Sequence, residues 1–328
     1  MKIKYTALLI FLISFFTPGL FCQENFHLDA GAVFKIRNGR LNEFVYNNST
    51  DNTNKLSELN WDVENIFYLG GNVNLEYKNI FISLESAGAV PSQSNDMQDS
   101  DWQNADDPSM KTNYSVSENR LSNSYYLDFN FFYRIPLAKV FSLKALFNFN
   151  FENFSFYAEN GYGGYGDTGT TGNPVAAVPW NSSSAVKFKK GELGSISYER
   201  KSYNTSIGIS PCFYVKDFLE INLFGAVSPF VFLESVDTHY SVDKSSYSKY
   251  LDKGSAFFNS WNAGLNVKYN PVKHFSVLTN LKYSQINFYK ANTYGDSNKN
   301  GYYEKSSSLA GFDQHYWDFS LALIYRPF

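Results

Sequence analysis

The chain has 328 residues, 25 of them tyrosine and 31 phenylalanine, and a formal charge of −3. An acidic balance of this kind argues against a nucleic-acid binder. Two cysteines in the whole sequence supply no metal framework.

Lys2 and Lys4 precede an apolar run from Ala7 to Phe16, followed by Pro18, Gly19 and a polar start at Gln23. A charged beginning, an apolar stretch too short to span a bilayer and a helix-breaking end read as a signal peptide over residues 1–22. Cys22 raises a lipid-anchored alternative, but Phe21 is large where a lipidation signal wants a small residue. The leader takes two of the 28 Lys+Arg and none of the 31 Asp+Glu, which leaves a net −5 on residues 23–328. Without Cys22, Cys212 is the one cysteine left and an internal disulfide is impossible.

No later segment carries 18 consecutive apolar residues, yet aromatics make up 19% of the chain. An exported, aromatic-rich, mildly polar chain fits one membrane solution: a single transmembrane antiparallel β-barrel over residues 23–328, apolar on its outer face alone.

Alternation along the chain supports this. The run "NIFISLESAGAVPSQS" is the third strand, and "DMQDSDW" (Asp96–Trp102) lies at its outer end. In "YYLDFNFFY", Leu127, Phe129, Phe131 and Tyr133 share one face while Asp128 and Asn130 take the other. "FLEINLFGAV" sets Leu219, Ile221 and Leu223 against Glu220 and Asn222, and continues outward through "FVFLESVDTHY" as the seventh strand. "FSVLTNLKY" and the terminal "YWDFSLALIYRPF" repeat the period of two.

The breaks alternate in length. Short ones fall at Tyr77–Asn79, Pro136–Val140, Lys216–Asp217 and Pro271–His274; long polar ones near Asn47–Asn54, Asn95–Asn119, Gly161–Lys190, Val242–Gly254 and Asp296–Ser307. That predicts about ten strands, short periplasmic turns, long extracellular loops, and both chain ends on the periplasmic side. Strands three and seven then face each other across the outer mouth.

Of four histidines, only His239 has a carboxylate at spacing two, Asp237. Residues i and i+2 of a strand point to one face, so Asp237 can hold the imidazole in one tautomer and favour its charged form. Asp99 and Asp101 share that spacing across the mouth, and two adjacent carboxylates resist ionising together. Such a set offers a water-activating base, its orienter and proton-sharing acids. Taken singly, Asp-x-Asp in a loop is most often solvated or a weak cation site, and Asp-x-His is often structural.

The combination resembles the omptins, outer-membrane proteases built on a ten-stranded barrel. "NEFVY" (Asn42–Tyr46) and "KLSELNW" (Lys55–Trp61) are similar to the family's first hairpin, "DSDW" (Asp99–Trp102) to its Asp-x-Asp-Trp, and "VDTHY" (Val236–Tyr240) to its Asp-x-His-Tyr. The resemblance implies hydrolysis of peptides or proteins by a water held between Asp99 and His239. His239 would be the base, Asp237 its orienter and Asp101 the partner of Asp99, with no metal or other cofactor and no covalent intermediate. Trp102 would be a rim or packing residue.

Cleavage beside basic residues is implied through Glu43, which matches one family pocket acid. The second acid position holds Ser235, and the neighbouring Glu234 points to the other face, so that preference is expected to be relaxed or altered. The family also depends on lipopolysaccharide, but Asn153 stands where an exterior arginine is expected, which puts that lipid partner in question. An adhesin or receptor barrel with binding loops, and a small pore, are the alternatives. An adhesin needs none of the four polar residues, and inward aromatics such as Phe132 and Phe224 would help fill a pore.

Overall fold

The computed structural model describes residues 26–47, 54–166, 177–296 and 301–327; the expected signal peptide lies outside them. The described residues form one closed sheet of thirteen antiparallel segments. These are β1 (Phe26–Tyr46), β2 (Lys55–Tyr77), β3 (Ile80–Ala89), β4 (Ser92–Asp101), β5 (Asn113–Ala138), β6 (Phe141–Tyr165) and β7 (Val186–Phe188). Then follow β8 (Ile196–Val215), β9 (Leu219–Tyr240), β10 (Tyr247–Ala256), β11 (Ser260–Val272), β12 (Phe275–Gly295) and β13 (Glu304–Tyr325).

Ten staves close the ring. β3 and β4 both lie between β2 and β5, so they are one stave interrupted at Val90–Pro91, where proline has no N–H to give the ladder. β10 and β11 likewise both lie between β9 and β12. β7 is a short ribbon attached to β6 alone. β13 pairs with β1 from Ala30↔Tyr325 to Tyr46↔Leu309, which removes the free edges.

All four expected tight turns occur, and Lys78 and Lys216 take the positive φ that such turns require (56° and 52°). The first residues of β1 and the last of β13 lie at this same end. At the other end the strands run further than expected. "DMQDSD" belongs to β4 rather than to a loop, and Tyr247–Ala256 is strand β10 inside the stretch read as the Val242–Gly254 loop. Of Gly161–Lys190, residues 161–165 continue β6 and 186–188 form β7, while 167–176 are outside the described part.

A bilayer needs about 9–11 residues per tilted strand, and β5 has 26. The staves therefore project well beyond the membrane. Outward rings mark its borders. Near the tight turns Phe141 packs on Phe213, Phe218 on Tyr269 and Phe275 on Tyr325. Higher up, Tyr125, Phe151, Tyr203 and Phe232 touch in series, as do Trp261, Tyr283 and Trp317. Exposed Leu, Ile, Val and Phe lie between these belts.

The interior has three levels. Nearest the tight turns is a polar cavity of about 240 Å³, lined by Asp29, Lys144, Glu220 and Lys268 among others. Above it Arg37 binds Asp318 through two hydrogen bonds (2.6 and 2.8 Å) and Glu152 at 2.9 Å. Above that, buried Trp61 stacks on Tyr198 (5.0 Å) and Phe156 (5.8 Å). These groups fill the middle of the barrel. Phe132 and Phe224, expected to do so, instead line the lower cavity. The third level is an open cleft of about 750 Å³ at the long-loop end.

Candidate active site

Asp99, Asp101, Asp237, His239 and Glu43 all line this upper cleft. Asp99 sits on β4, opposite Leu59 of β2 and Ser115 of β5. Asp237 and His239 sit on β9, opposite Tyr198 and Ile196 of β8. β4 is in the third stave and β9 is the seventh, so the two pairs face each other across the mouth. On each strand the spacing of two turns both side chains inward. His239 lies seven residues beyond the Phe232 ring along β9, above the membrane belt.

His239 Nε2 meets Asp237 Oδ2 at 2.5 Å, which leaves Nδ1 as the other ring nitrogen. The Tyr250 ring presents an edge-on contact to the imidazole, with centroids 6.2 Å apart. Burial alone would discharge the imidazole. The Asp237 carboxylate overrides it, helped by Asp99 and Asp101, and the ring is pushed up to about 9. Asp99 is raised to about 8 by burial first and by the Asp101 charge second, with His239 opposing. Among the described residues its one side-chain donor is the Ser57 hydroxyl at 3.5 Å. Asn113 Nδ2 donates to Asp101 Oδ2 at 3.0 Å. Two opposed groups that give up protons in adjacent pH ranges are suited to exchanging one.

Glu43, on β1, is 2% exposed, and burial holds its carboxyl well above the ordinary range, with Asp237 and Asp252 adding to the effect. Ser235 is buried on β9, while Glu234 is on the outward-facing side of that strand, as expected. Directly across the ladder from Ser235 stands Asp252 of β10. Burial raises Asp252 to about 6, and it lies within hydrogen-bonding reach of Glu43. Glu43 Oε2 and Asp252 Oδ1 are buried and receive no donor among the described residues. Asp252 escaped the sequence reading because it fell inside a presumed loop. The alternation Tyr250, Asp252, Gly254 against Leu251, Lys253 was the available signal.

Arg200 is buried beneath these acids, but its donors are committed to Tyr198 Oη (2.6 Å), Asp313 O (3.1 Å) and Asn42 O (2.7 Å). Among the described residues, five carboxyls and no lysine or arginine line the cleft. Among the described residues no group of three or more His, Cys, Asp or Glu is disposed to hold a metal ion. Asp96 is on β4, opposite Glu118, rather than in a loop. Trp102 lies at the rim under the Lys55 ammonium (3.8 Å), with Lys111 at 5.2 Å. Asn153 sits between Tyr125 and Lys201 in the ladder, far below the cleft, and Lys201 is paired with Glu199 at 3.1 Å.

The omptin family model matches residues 25–327. No curated protein sequence matches the chain. Among solved structures, the chain is similar to the outer membrane protease OmpT from Escherichia coli, with 18% identity, a TM-score of 0.74, and coverage of 92% of this chain and 96% of that one. Ail, the attachment invasion locus protein of Yersinia pestis, matches at 8% identity with a TM-score of 0.25, covering 91% and 99%. At that score it carries no argument about fold or function.

Proposed function

The chain belongs to the omptin family, and from that premise we propose that it is an outer-membrane endopeptidase whose cleft opens to the cell exterior and hydrolyses peptides or proteins. The observation that carries this reading is the facing of Asp237–His239 by Asp99–Asp101 across one cleft. An adhesin needs no such arrangement, and the filled middle of the barrel opposes a pore.

A water between Asp99 and His239 attacks the scissile carbonyl carbon. His239 takes a proton from that water, and the attacking oxygen forms the new C–O bond. Asp237 holds the imidazole in place and balances its positive charge. Asp99, with Asp101 beside it, carries the proton that the departing amine nitrogen needs when the C–N bond breaks. Metal chemistry and an acyl-enzyme have no part in this scheme. Glu43 accepts a basic side chain next to the scissile bond. Asp252, across the ladder from Ser235, restores the second acid from a neighbouring strand.

The test uses the purified full chain refolded in detergent, with and without lipopolysaccharide, on a peptide mixture. Cleavage is expected. With Asn153 neutral and Lys201 paired to Glu199, cleavage is expected without the lipid as well. Asp99→Asn and His239→Ala variants that cut as fast as the parent would sink the assignment.

A further inference from the structure

The two catalytic pairs divide the ring of staves into two arcs of different chemistry. One arc runs from β10 through β12, β13 and β1 to β2, and supplies Glu43 and Asp252 to the cleft. The other runs through β5, β6, β7 and β8, and supplies Tyr165, Val186 and Phe188. Among the described residues, neither acid of the first arc has a counterpart in the second.

The apolar wall is built rather than incidental. Phe188 packs edge-on against Tyr165 with ring centroids 5.0 Å apart, and Val186 is the cross-strand partner of Tyr165. The chain leading into β7 can lie close to β6 because glycines face it. A Cβ on Gly164 would meet Trp180 O at 2.4 Å, and one on Gly166 would meet Val178 O at 1.8 Å. The "GYGGYG" run therefore serves close backbone approach, which seats the segment that carries Val186 and Phe188.

Lysines flank this arc, one of them neutralised by a glutamate. Lys187 donates to Trp180 O, Lys190 pairs with Glu118, and Lys111 donates to Ser100 Oγ. A second cationic side chain entering here would meet an apolar surface whose carboxylate across the ladder, Asp101, already accepts from Asn113, and would lose hydration for little return.

Resting on the endopeptidase reading above, we propose that this enzyme cuts between a basic residue and a bulky apolar residue. The basic side chain is held by Glu43 and Asp252. The apolar one is held against Tyr165, Val186 and Phe188. A bond between two basic residues is a poor substrate.

Matched quenched-fluorescent peptides that differ only at the two residues flanking the scissile bond test this, with cut sites mapped by mass spectrometry. The expected kcat/KM ratio of basic–apolar (Lys or Arg with Phe, Leu or Val) over basic–basic is at least about tenfold, the scale of burying one apolar side chain against exposing a charge. Val186→Asp is expected to bring the ratio to one or below by raising basic–basic cleavage, a gain that a folding defect does not mimic. Phe188→Ala is expected to narrow it. A parent that cuts basic–basic bonds as fast as basic–apolar ones, or a Val186→Asp variant with the parent's ratio, overturns this specificity while leaving the endopeptidase reading intact. A parent that cuts nothing overturns both.

Discussion

The two ends of this barrel use the same residue types to opposite effect. At the tight-turn end Asp29 accepts from Arg326 at 2.6 and 2.9 Å, with Lys268 at 3.5 Å, and Glu220 takes Lys144 at 2.6 Å. Between the two ends, Arg37 ties Asp318 to Glu152, and Lys35 reaches Glu85 at 3.3 Å. In the cleft, Glu43, Asp99 and Asp252 have no lysine or arginine ion pair among the described residues, and each is pushed above its ordinary protonation range. Paired charges hold a fold; unpaired ones store electrostatic repulsion that is useful only to a ligand or a reaction. Substitutions should therefore separate cleanly. Those below should lower stability and spare chemistry, and those above should do the reverse.

The largest expected effect is on rate. His239→Ala removes the proposed base and should lower kcat by about 10³-fold or more, measured on the best peptide, with little change in melting temperature. Next, Arg37→Met leaves Asp318 and Glu152 buried without their cation, and should cost about 3–5 kcal/mol of stability. Denaturant or heat-modifiability titrations read this, and the fraction that stays folded should keep the parent kcat. A fall in kcat as large as that of His239→Ala would erase the contrast between the two ends.

The pH behaviour sharpens the contrast. Asp99 at about 8 and His239 at about 9 place the singly protonated pair in mildly alkaline solution, so kcat/KM should peak there. Asp237→Asn removes the charge that holds His239 up, and should move the acid limb to lower pH along with a loss of rate. An unmoved limb would exclude His239 as its source.

Stability moves the opposite way. The folded-state value of Asp99 lies above its ordinary 3.8, so its contribution is full below about 3.8 and is lost as pH rises through about 8. His239, raised from 6.5, adds loss in the same direction between about 6.5 and about 9. Asp99→Asn should therefore melt a few degrees higher than the parent at pH 9 and converge with it in acid. The smallest effect belongs to the exposed Lys190–Glu118 pair. Lys190→Ala should leave melting unchanged within error.

Much of this was legible in the sequence because a barrel writes its face alternation into every strand. The ten staves, the four tight turns and the facing of Asp99 and Asp101 by Asp237 and His239 follow from period two and from counting turns, whereas Glu43 was reached only through the resemblance to the omptins. What stayed hidden depends on register and on polarity above the membrane. Asp252 meets Ser235 only through a cross-strand pairing that no spacing in the sequence encodes. Tyr247–Ala256 and "DMQDSD" are too polar to look like strands when strands are sought by their membrane-facing side chains, because beyond the bilayer both faces meet water. Within the long break Gly161–Lys190 nothing in the spacing shows that Gly164 and Gly166 admit the backbone at Trp180 and Val178 against β6.

The seam between β1 and β13 has a consequence for when the protein can act. Glu43 is held there against Phe312, and the cleft draws on residues from Glu43 to Ser308. The Arg326–Asp29 clamp near the tight turns fastens the last described residues to the first strand. No partial barrel contains the whole cleft, so activity arises only with the final zipping of the last strand onto the first. Until then the nascent chain and its neighbours in the periplasm are safe from it. Cleavage during timed refolding should appear with the closed, heat-modifiable form and not before it.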